Sequence, residues 1–171
     1  SMATIAEAAE VGAGTIYRYF DGKEALIHEL YIEARKQAHR SILSIGFDED
    51  ASVRERLYML WRAVLLDYID CPRLYRFILK YESSAHLQVS GRAQTEDLQA
   101  PFREIYRDGV EEGTFRPRPE STYASFFVGT ATHLVQDHLN DGPALDDARI
   151  DQTFEMLWAA YTTEAPSAPT S

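Results

Sequence analysis

Within nine residues, from Thr15 to Lys23, the chain places three hydroxyls (Thr15, Tyr17 and Tyr19) and two cations (Arg18 and Lys23), just after Gly14. Hydroxyls and cations at this density suit a polyanion. Thr15 and the two phenols can donate to phosphate oxygens, Arg18 can fork onto a guanine edge or a phosphate, and Gly14 lets the backbone approach closely. Lys23 opens a long helical pattern, so its ammonium and the orphan N–H groups of that helix can act on one phosphate together. Packing is a poor alternative account of the aromatics, because Tyr17 and Tyr19 cannot both share a helix face with Ile16 and Phe20.

These residues need a scaffold that presents them. Ile5, Ala6 and Ala9 recur at helical spacing over residues 3–9, a second short helix is expected over about 13–19, and after Asp21-Gly22 a long one runs from Lys23 toward Ser44. A short helix, a tight turn and a second short helix that leads with base-reaching side chains is the layout of a helix-turn-helix. Ile5, Ala9, Val11, Ile16 and Phe20 are the apolar positions expected to pin it together.

The stretches "TIAEAA-V", "GTIYRYF" and "KEAL", spanning residues 4–31, resemble the TetR family of bacterial transcriptional regulators. Beyond residue 31 the agreement is one of layout, including "EEGTFRP" (111–117) ahead of the penultimate long helix. The resemblance implies an all-α homodimer that binds palindromic operator DNA, with recognition helices one turn of DNA apart, about 34–36 Å. It also implies a body that holds a small-molecule inducer, making the chain a ligand-responsive regulator, in all expectation a repressor. Family roles fall on Thr15, Tyr17, Tyr19 and Lys23 as DNA contacts and on Gly14 as the close-approach position; Thr4 and Arg18 complete the expected DNA-binding set. The family's turn carries Gly where this chain has Glu10, which implies a non-glycine residue at positive φ at a cost of roughly 1 kcal/mol. The family also places a helix ahead of residue 4 that has no counterpart in the sequence. The head is therefore expected to be incomplete, with weak specific binding, raised mobility over residues 1–22, and Ile5, Ala9 and Ile16 short of packing partners. A ligand-binding dimer that does not engage DNA is the alternative.

The rest of the chain reads as helices too, and the fold class expected is all-α. Ser52 and Glu55 form a capping-box pattern ahead of Val53, Leu57, Leu60, Trp61, Val64, Leu65 and Tyr68. Pro72 suits the first turn of the next helix. Leu98, Phe102, Ile105, Tyr106 and Val110 mark another helix, and "SSAHLQVSGRAQ" before it reads as loop or frayed helix. Two long amphipathic helices follow, over about 119–139 and again around Ile150–Tyr161. The expected division is a DNA-binding head with its connecting helix at 1–44, a ligand-binding and dimerisation body at 45–163, and a tail at 164–171 whose composition is that of a disordered segment. Trp61, Tyr68, Phe77, Tyr81, Phe102, Tyr106 and Phe127 are expected to ring an apolar pocket for an aromatic or apolar inducer. Phe126, Phe127, Thr130 and Leu134 are expected to meet Phe154, Leu157, Trp158 and Tyr161 of a partner in a four-helix dimer interface exceeding roughly 1,000 Å².

Composition limits the alternatives. Of 171 residues, 17 are Lys or Arg and 27 Asp or Glu, a formal net charge of −10; residues 1–40 account for only −1 of it and the remainder for −9. The asymmetry leaves the N-terminal end as the place for a polyanion. No apolar run approaches the length of a membrane span, so no membrane partner is expected. The single cysteine, Cys71, reads as structural, and its solitary state fits a cytoplasmic protein. The sequence has no nucleophile elbow, phosphate-cradling Gly loop, CxxC pair or HExxH. His133 and His138 stand five apart, off the spacing of a helical metal pair. No catalytic residue, metal or cofactor is therefore expected, and the chain is not read as an enzyme.

Overall fold

The computed structural model of the chain describes residues 1–38, 40–48, 50–82 and 99–162. Within them the fold is all-α. Three helices build the N-terminal end: α1 (Met2–Ala8), α2 (Ala13–Tyr19) and α3 (Lys23–Ala38). They are followed by the short α4 (Arg40–Leu43), then α5 (Val53–Asp70), α6 (Pro72–Glu82), α7 (Ala100–Glu111), α8 (Glu120–Leu139) and α9 (Asp147–Tyr161). The span expected to form one helix from Lys23 to Ser44 is thus carried by α3 and α4. The expected loop over 83–94, Leu98 and the tail at 164–171 lie outside the described residues.

α5 is the axis of the body. Its capping box forms as the sequence predicts: Glu55 N–H donates to Ser52 Oγ (3.3 Å), and Ser52 N–H donates to Glu55 Oε2 (2.8 Å). Such a cap is worth about 1 kcal/mol. The Ser52 hydroxyl also donates to Glu55 Oε2 (2.7 Å), and this bond, together with the one from Ser52 N–H, holds the Glu55 carboxyl below the usual carboxylate range. Val53, Leu57, Leu60, Trp61, Val64 and Leu65 repeat at helical spacing and are all buried, with Leu57, Trp61 and Leu65 fully so. Around them pack Ile105 of α7, the Tyr123–Phe127–Ala131–Val135 stripe of α8 and the Ile150–Phe154–Leu157–Tyr161 stripe of α9. Asp146 caps α9 by accepting from Arg149 N–H at 2.9 Å.

The "EEGTFRP" stretch is a structural tie. Gly113, at φ 73°, turns the chain out of α7, and Phe115 folds back so that its N–H donates to the Gly109 carbonyl at 2.8 Å. Arg116 N–H donates to the Tyr161 carbonyl (3.0 Å), and the Tyr123 hydroxyl donates to the Arg116 carbonyl (2.6 Å). The Tyr161 hydroxyl in turn donates to the Tyr123 carbonyl at 2.6 Å. The motif therefore fastens the start of α8 to the end of α9.

The N-terminal helices meet the rest of the described chain where α3 packs on α6. Tyr31 stacks on Tyr81 with centroids 4.4 Å apart, and its hydroxyl donates to Glu82 Oε1 at 2.9 Å; Arg35 pairs with the same carboxylate. His28 Nδ1 and the Tyr81 hydroxyl share a hydrogen bond of 3.1 Å. Burial pushes the Tyr31 phenol up to about 12, so it remains a donor throughout the physiological range.

Candidate nucleic-acid interface

The site rests on a small core. Met2, Ala6 and Ile16 are buried together, with Ile5, Phe20 and Leu26 packed partly against them. Ile16 is thus well covered, contrary to the expectation that it lacks partners, whereas Ala9 is exposed and Ile5 half-buried. Val11, expected to pin the helices, is instead 43% exposed. The turn between α1 and α2 holds Glu10 at φ 56°, the left-handed conformation implied at this position. It is closed by Val11 N–H donating to the Ala6 carbonyl at 3.0 Å.

Ile16 is the one buried residue of α2. Every other side chain from Ala13 to Tyr19 points outward, so the helix offers nearly its whole circumference to a partner. Tyr17 and Tyr19 are 58% and 66% exposed, and Thr15, Arg18 and Lys23 are exposed as well. Leaving two phenols in water costs apolar burial that a monomer has no reason to give up. Arg18 Nη2 donates to the Tyr19 hydroxyl at 2.8 Å, which leaves that hydroxyl's own proton to donate onward. A Cβ built on Gly14 meets nothing within 4 Å, so its surface is open to close approach. Thr4 is exposed at the start of α1, and its hydroxyl shares a hydrogen bond with Ser1 Oγ at 2.9 Å. The structure thus places Thr4, Gly14, Thr15, Tyr17, Arg18, Tyr19 and Lys23 in solvent on one small helical unit.

The aromatic residues expected to ring one pocket divide into two groups. Trp61, Phe102, Tyr106 and Phe127 belong to the main core, where Trp61 and Phe102 each pack against the Phe127 ring (5.2 and 5.3 Å). Trp61 Nε1–H is already engaged by the Ile150 carbonyl at 3.4 Å, and the Tyr106 hydroxyl donates to the Arg118 carbonyl at 2.8 Å. Phe77 and Tyr81 instead sit with Tyr31 in the head–body seam. Tyr68 touches both groups and stacks on Tyr75 at 4.4 Å; burial raises its phenol well above the ordinary tyrosine value. The single ring is therefore corrected to two packed clusters joined through Tyr68. A described hollow lies elsewhere, on the outside of α5 and α9: about 340 Å³, lined by Arg54, Glu55, Tyr58, Asp151, Phe154 and Glu155.

The expected dimer stripes need a similar correction. Phe127, Phe154, Leu157 and Tyr161 are at most 4% exposed within one subunit, leaving their side chains no surface for a partner. Thr130, Leu134 and Trp158 are half-buried, and Phe126 stands 47% exposed. Sequence reasoning missed Met156, at 68% the most exposed large apolar side chain among the described residues. The signal available was its position off the Ile150–Phe154–Leu157–Tyr161 stripe.

Among the described residues no helix is long and apolar enough to cross a membrane. α2, with Thr15, Tyr17, Arg18 and Tyr19 exposed, stands between α1 and the Lys23 end of α3 in the layout of a helix-turn-helix. Residues 1–30 match the family model of the bacterial regulatory proteins of the tetR family. The whole chain is similar to a TetR family transcription regulator from Marinobacter aquaeolei VT8, at 26% identity and a TM-score of 0.83, over 95% of this chain and 84% of that one. It is similar also to a TetR-family transcriptional regulator from Haemophilus influenzae RD (22% identity, TM-score 0.73, 95% and 85% covered). A third likeness is to the ketosteroid transcriptional regulator KstR2 of Mycobacterium tuberculosis (21%, 0.59, 96% and 85%). Residues 1–30 thus carry the sequence pattern of the tetR family, and the described chain has the all-α fold of the TetR-family transcription regulators it resembles.

Proposed function

We propose that the protein is a ligand-responsive repressor that binds palindromic operator DNA as a homodimer and leaves it when a small apolar or aromatic inducer enters the body. The observation that carries the reading is α2, on which Thr15, Tyr17, Arg18 and Tyr19 stand in solvent around a single buried anchor. Thr15, Tyr17, Tyr19 and Lys23 hold phosphates, Arg18 reaches a base edge or a phosphate, and Gly14 admits the sugar–phosphate ridge. Thr4 adds a hydroxyl from α1. Residues 1–44 act as head and connecting helix, and 45–163 as the regulatory body.

The dimer uses the outward faces of α8 and α9, where Phe126 and Met156 are exposed beside the small residues Gly129, Ala159 and Ala160. Small residues let two-fold related helices approach closely while the two large side chains supply apolar area. An inducer bound to the body reaches the N-terminal helices through the α3–α6 seam, where Tyr31 and Arg35 are tied to Glu82. It acts on DNA only by favouring one placement of the heads, since a ligand indifferent to both states shifts nothing.

The test is selection of duplexes from a random-sequence library by the chain, followed by footprinting. A two-fold symmetric protected site with half-sites one DNA turn apart is the expected result. Failure to enrich any duplex would overturn the reading, and enrichment of an asymmetric single half-site would overturn the dimer.

A further inference from the structure

Arg18 and Tyr19 follow one another in the last turn of α2. Successive side chains on a helix point about 100° apart, and neighbours at i, i+1 do not ordinarily face each other. These two nevertheless meet. Arg18 Nη2 donates to the Tyr19 hydroxyl at 2.8 Å, and the guanidinium carbon lies 4.9 Å from the centre of the Tyr19 ring, within the range of a cation–π contact. Both side chains are exposed, Tyr19 to 66%, so the pair is held by its own contact and not by the core. Tyr17, the other exposed phenol of α2, has no such companion among the described residues.

The pair has the chemistry of an anion clamp. Among the described residues Arg18 makes no ion pair, so its charge is left for an external partner. One of its N–H groups is spent on Tyr19 and the others remain. The hydroxyl that accepts from the cation keeps its own proton, and a hydrogen-bonded chain of this kind strengthens the onward O–H donor. A planar fork beside a phenol O–H matches the several oxygens of one phosphate. A base edge is a poorer fit. Base edges lie at the floor of a major groove about 8.5 Å deep, whereas the sugar–phosphate ridge assigned to Tyr19 borders it. A guanidinium 2.8 Å from that hydroxyl stays at the ridge. A recognition helix also leads into the groove with its N-terminal residues, and Arg18 stands at the trailing end of α2.

We propose that Arg18 and Tyr19 close together on one phosphate of the operator backbone. Arg18 is then a phosphate ligand and not a reader of bases, and Tyr19 is both a donor to that phosphate and the residue that positions the guanidinium beside it. The inference rests on the reading of α2 as a DNA-binding element and decides between the two roles open to Arg18 there. A cation on a phosphate acts through counterion release, so its signature is the salt dependence of affinity, whereas a reader of bases shows in sequence preference.

The experiment compares the chain with Arg18→Gln, Tyr19→Phe and the double variant, changes at exposed positions that should leave the thermal melt in place. The probes are a fluorescein-labelled duplex enriched by the chain from a random library and a set of the same duplex with each base pair replaced in turn, titrated from about 50 to 200 mM salt. Arg18→Gln should weaken binding about tenfold or more, by the same factor across the whole set, with a log–log salt slope shallower by about 0.9. Tyr19→Phe keeps the ring and loses the hydroxyl, so it should weaken binding with the sequence preference intact. Because the two residues serve one phosphate, adding Tyr19→Phe to Arg18→Gln should cost clearly less than Tyr19→Phe costs alone. Relaxed preference at one base pair in Arg18→Gln would make that residue a reader of bases and overturn the proposal while leaving the head's function standing. Losses that multiply in the double variant would place the two residues on separate groups, and an unchanged salt slope would remove Arg18 from the backbone; either overturns it. If the wild-type chain enriches no duplex, the reading of α2 fails and this inference with it.

Discussion

α2 and α5 show the two ways in which this chain uses its aromatic residues. α5 buries six of its side chains, with Trp61 wholly enclosed and its indole N–H satisfied by a carbonyl of α9. α2 buries one, and its two tyrosines stand more than half in water. The buried face of α5 is explained by contacts within the chain, whereas the tyrosines of α2 are not, and that difference is the ground for proposing that α2 faces a partner. Removing a ring from α5 should cost folding, whereas removing one from α2 should cost binding.

The largest expected effect sets these two against each other. Trp61→Ala leaves a cavity in the centre of the body and should lower stability by about 3–5 kcal/mol. Tyr17→Ala should leave the melting temperature within error of wild type and weaken binding to a library-enriched duplex by about ten- to a hundredfold, the range of a hydrogen bond to a charged group. A denaturant series and a fluorescence-anisotropy titration on both variants measure the contrast. A Tyr17→Ala protein that unfolds early would place Tyr17 among the packing residues and end the distinction. Charge at Leu157, 1% exposed, belongs with Trp61: it should unfold the body rather than separate a dimer.

A smaller effect is expected at the tie between α7 and α9. A Cβ on Gly109 would overlap the ring of Phe115, which is itself locked against Tyr123 and Tyr161. Gly109→Ala should therefore cost about 1–3 kcal/mol, seen as an earlier melt with DNA affinity at low temperature preserved. Retention of the wild-type melt would show that Phe115 can move aside.

The comparison also separates what a sequence discloses from what it conceals. In α2 the face of each residue follows from spacing alone: Tyr17 and Tyr19 cannot both lie beside Ile16, so their exposure was legible. The body offered no such contradiction. Phe126 and Phe127 are adjacent aromatics on one helix, yet one is exposed and the other is core. An apolar stripe says that something covers it, but whether that is the same chain, a ligand or a second copy depends on packing among distant elements. For the same reason Tyr81 reads equally well as pocket wall or seam. Its partner Tyr31 lies fifty residues away on α3, and nothing local announces their stacking.

Acid should act on the body through a specific pair. Arg56 Nη1 donates to Asp108 Oδ2 at 2.7 Å between α5 and α7, and this bond holds the Asp108 carboxyl below the usual carboxylate range. A carboxyl whose folded pKa is depressed contributes stability that is complete above its unfolded value, about 4, and is lost as pH falls through the folded value. Asp108→Asn should consequently melt earlier than wild type at neutral pH, because it leaves the largely buried Arg56 cation without its counter-charge. The gap between the two proteins should narrow as pH is lowered below about 4. A gap that stays constant from pH 7 to pH 3 would show that the pair contributes shape and not charge.

The smallest effect concerns the turn that presents α2. Glu10 sits at φ 56°, a conformation that costs a residue with a Cβ roughly 1–2 kcal/mol and a glycine almost nothing. Glycine also gains backbone freedom in the unfolded chain, worth about 0.4–1 kcal/mol in the opposite direction. Glu10→Gly should therefore steady the head by a net of roughly 0.5 kcal/mol. A global melt, dominated by the large core around α5, is a poor reporter of so local a gain. Hydrogen exchange is a better one, since Val11 N–H donates to the Ala6 carbonyl across this turn and opens when the turn opens. Protection at Val11, Thr15 and Phe20 should rise about twofold, with the amides of α5 unchanged, and affinity for an enriched duplex should rise by no more than the same factor. Unchanged exchange at Val11 would mean that the Glu10 backbone relaxes at no cost and that the turn does not limit how α2 is held.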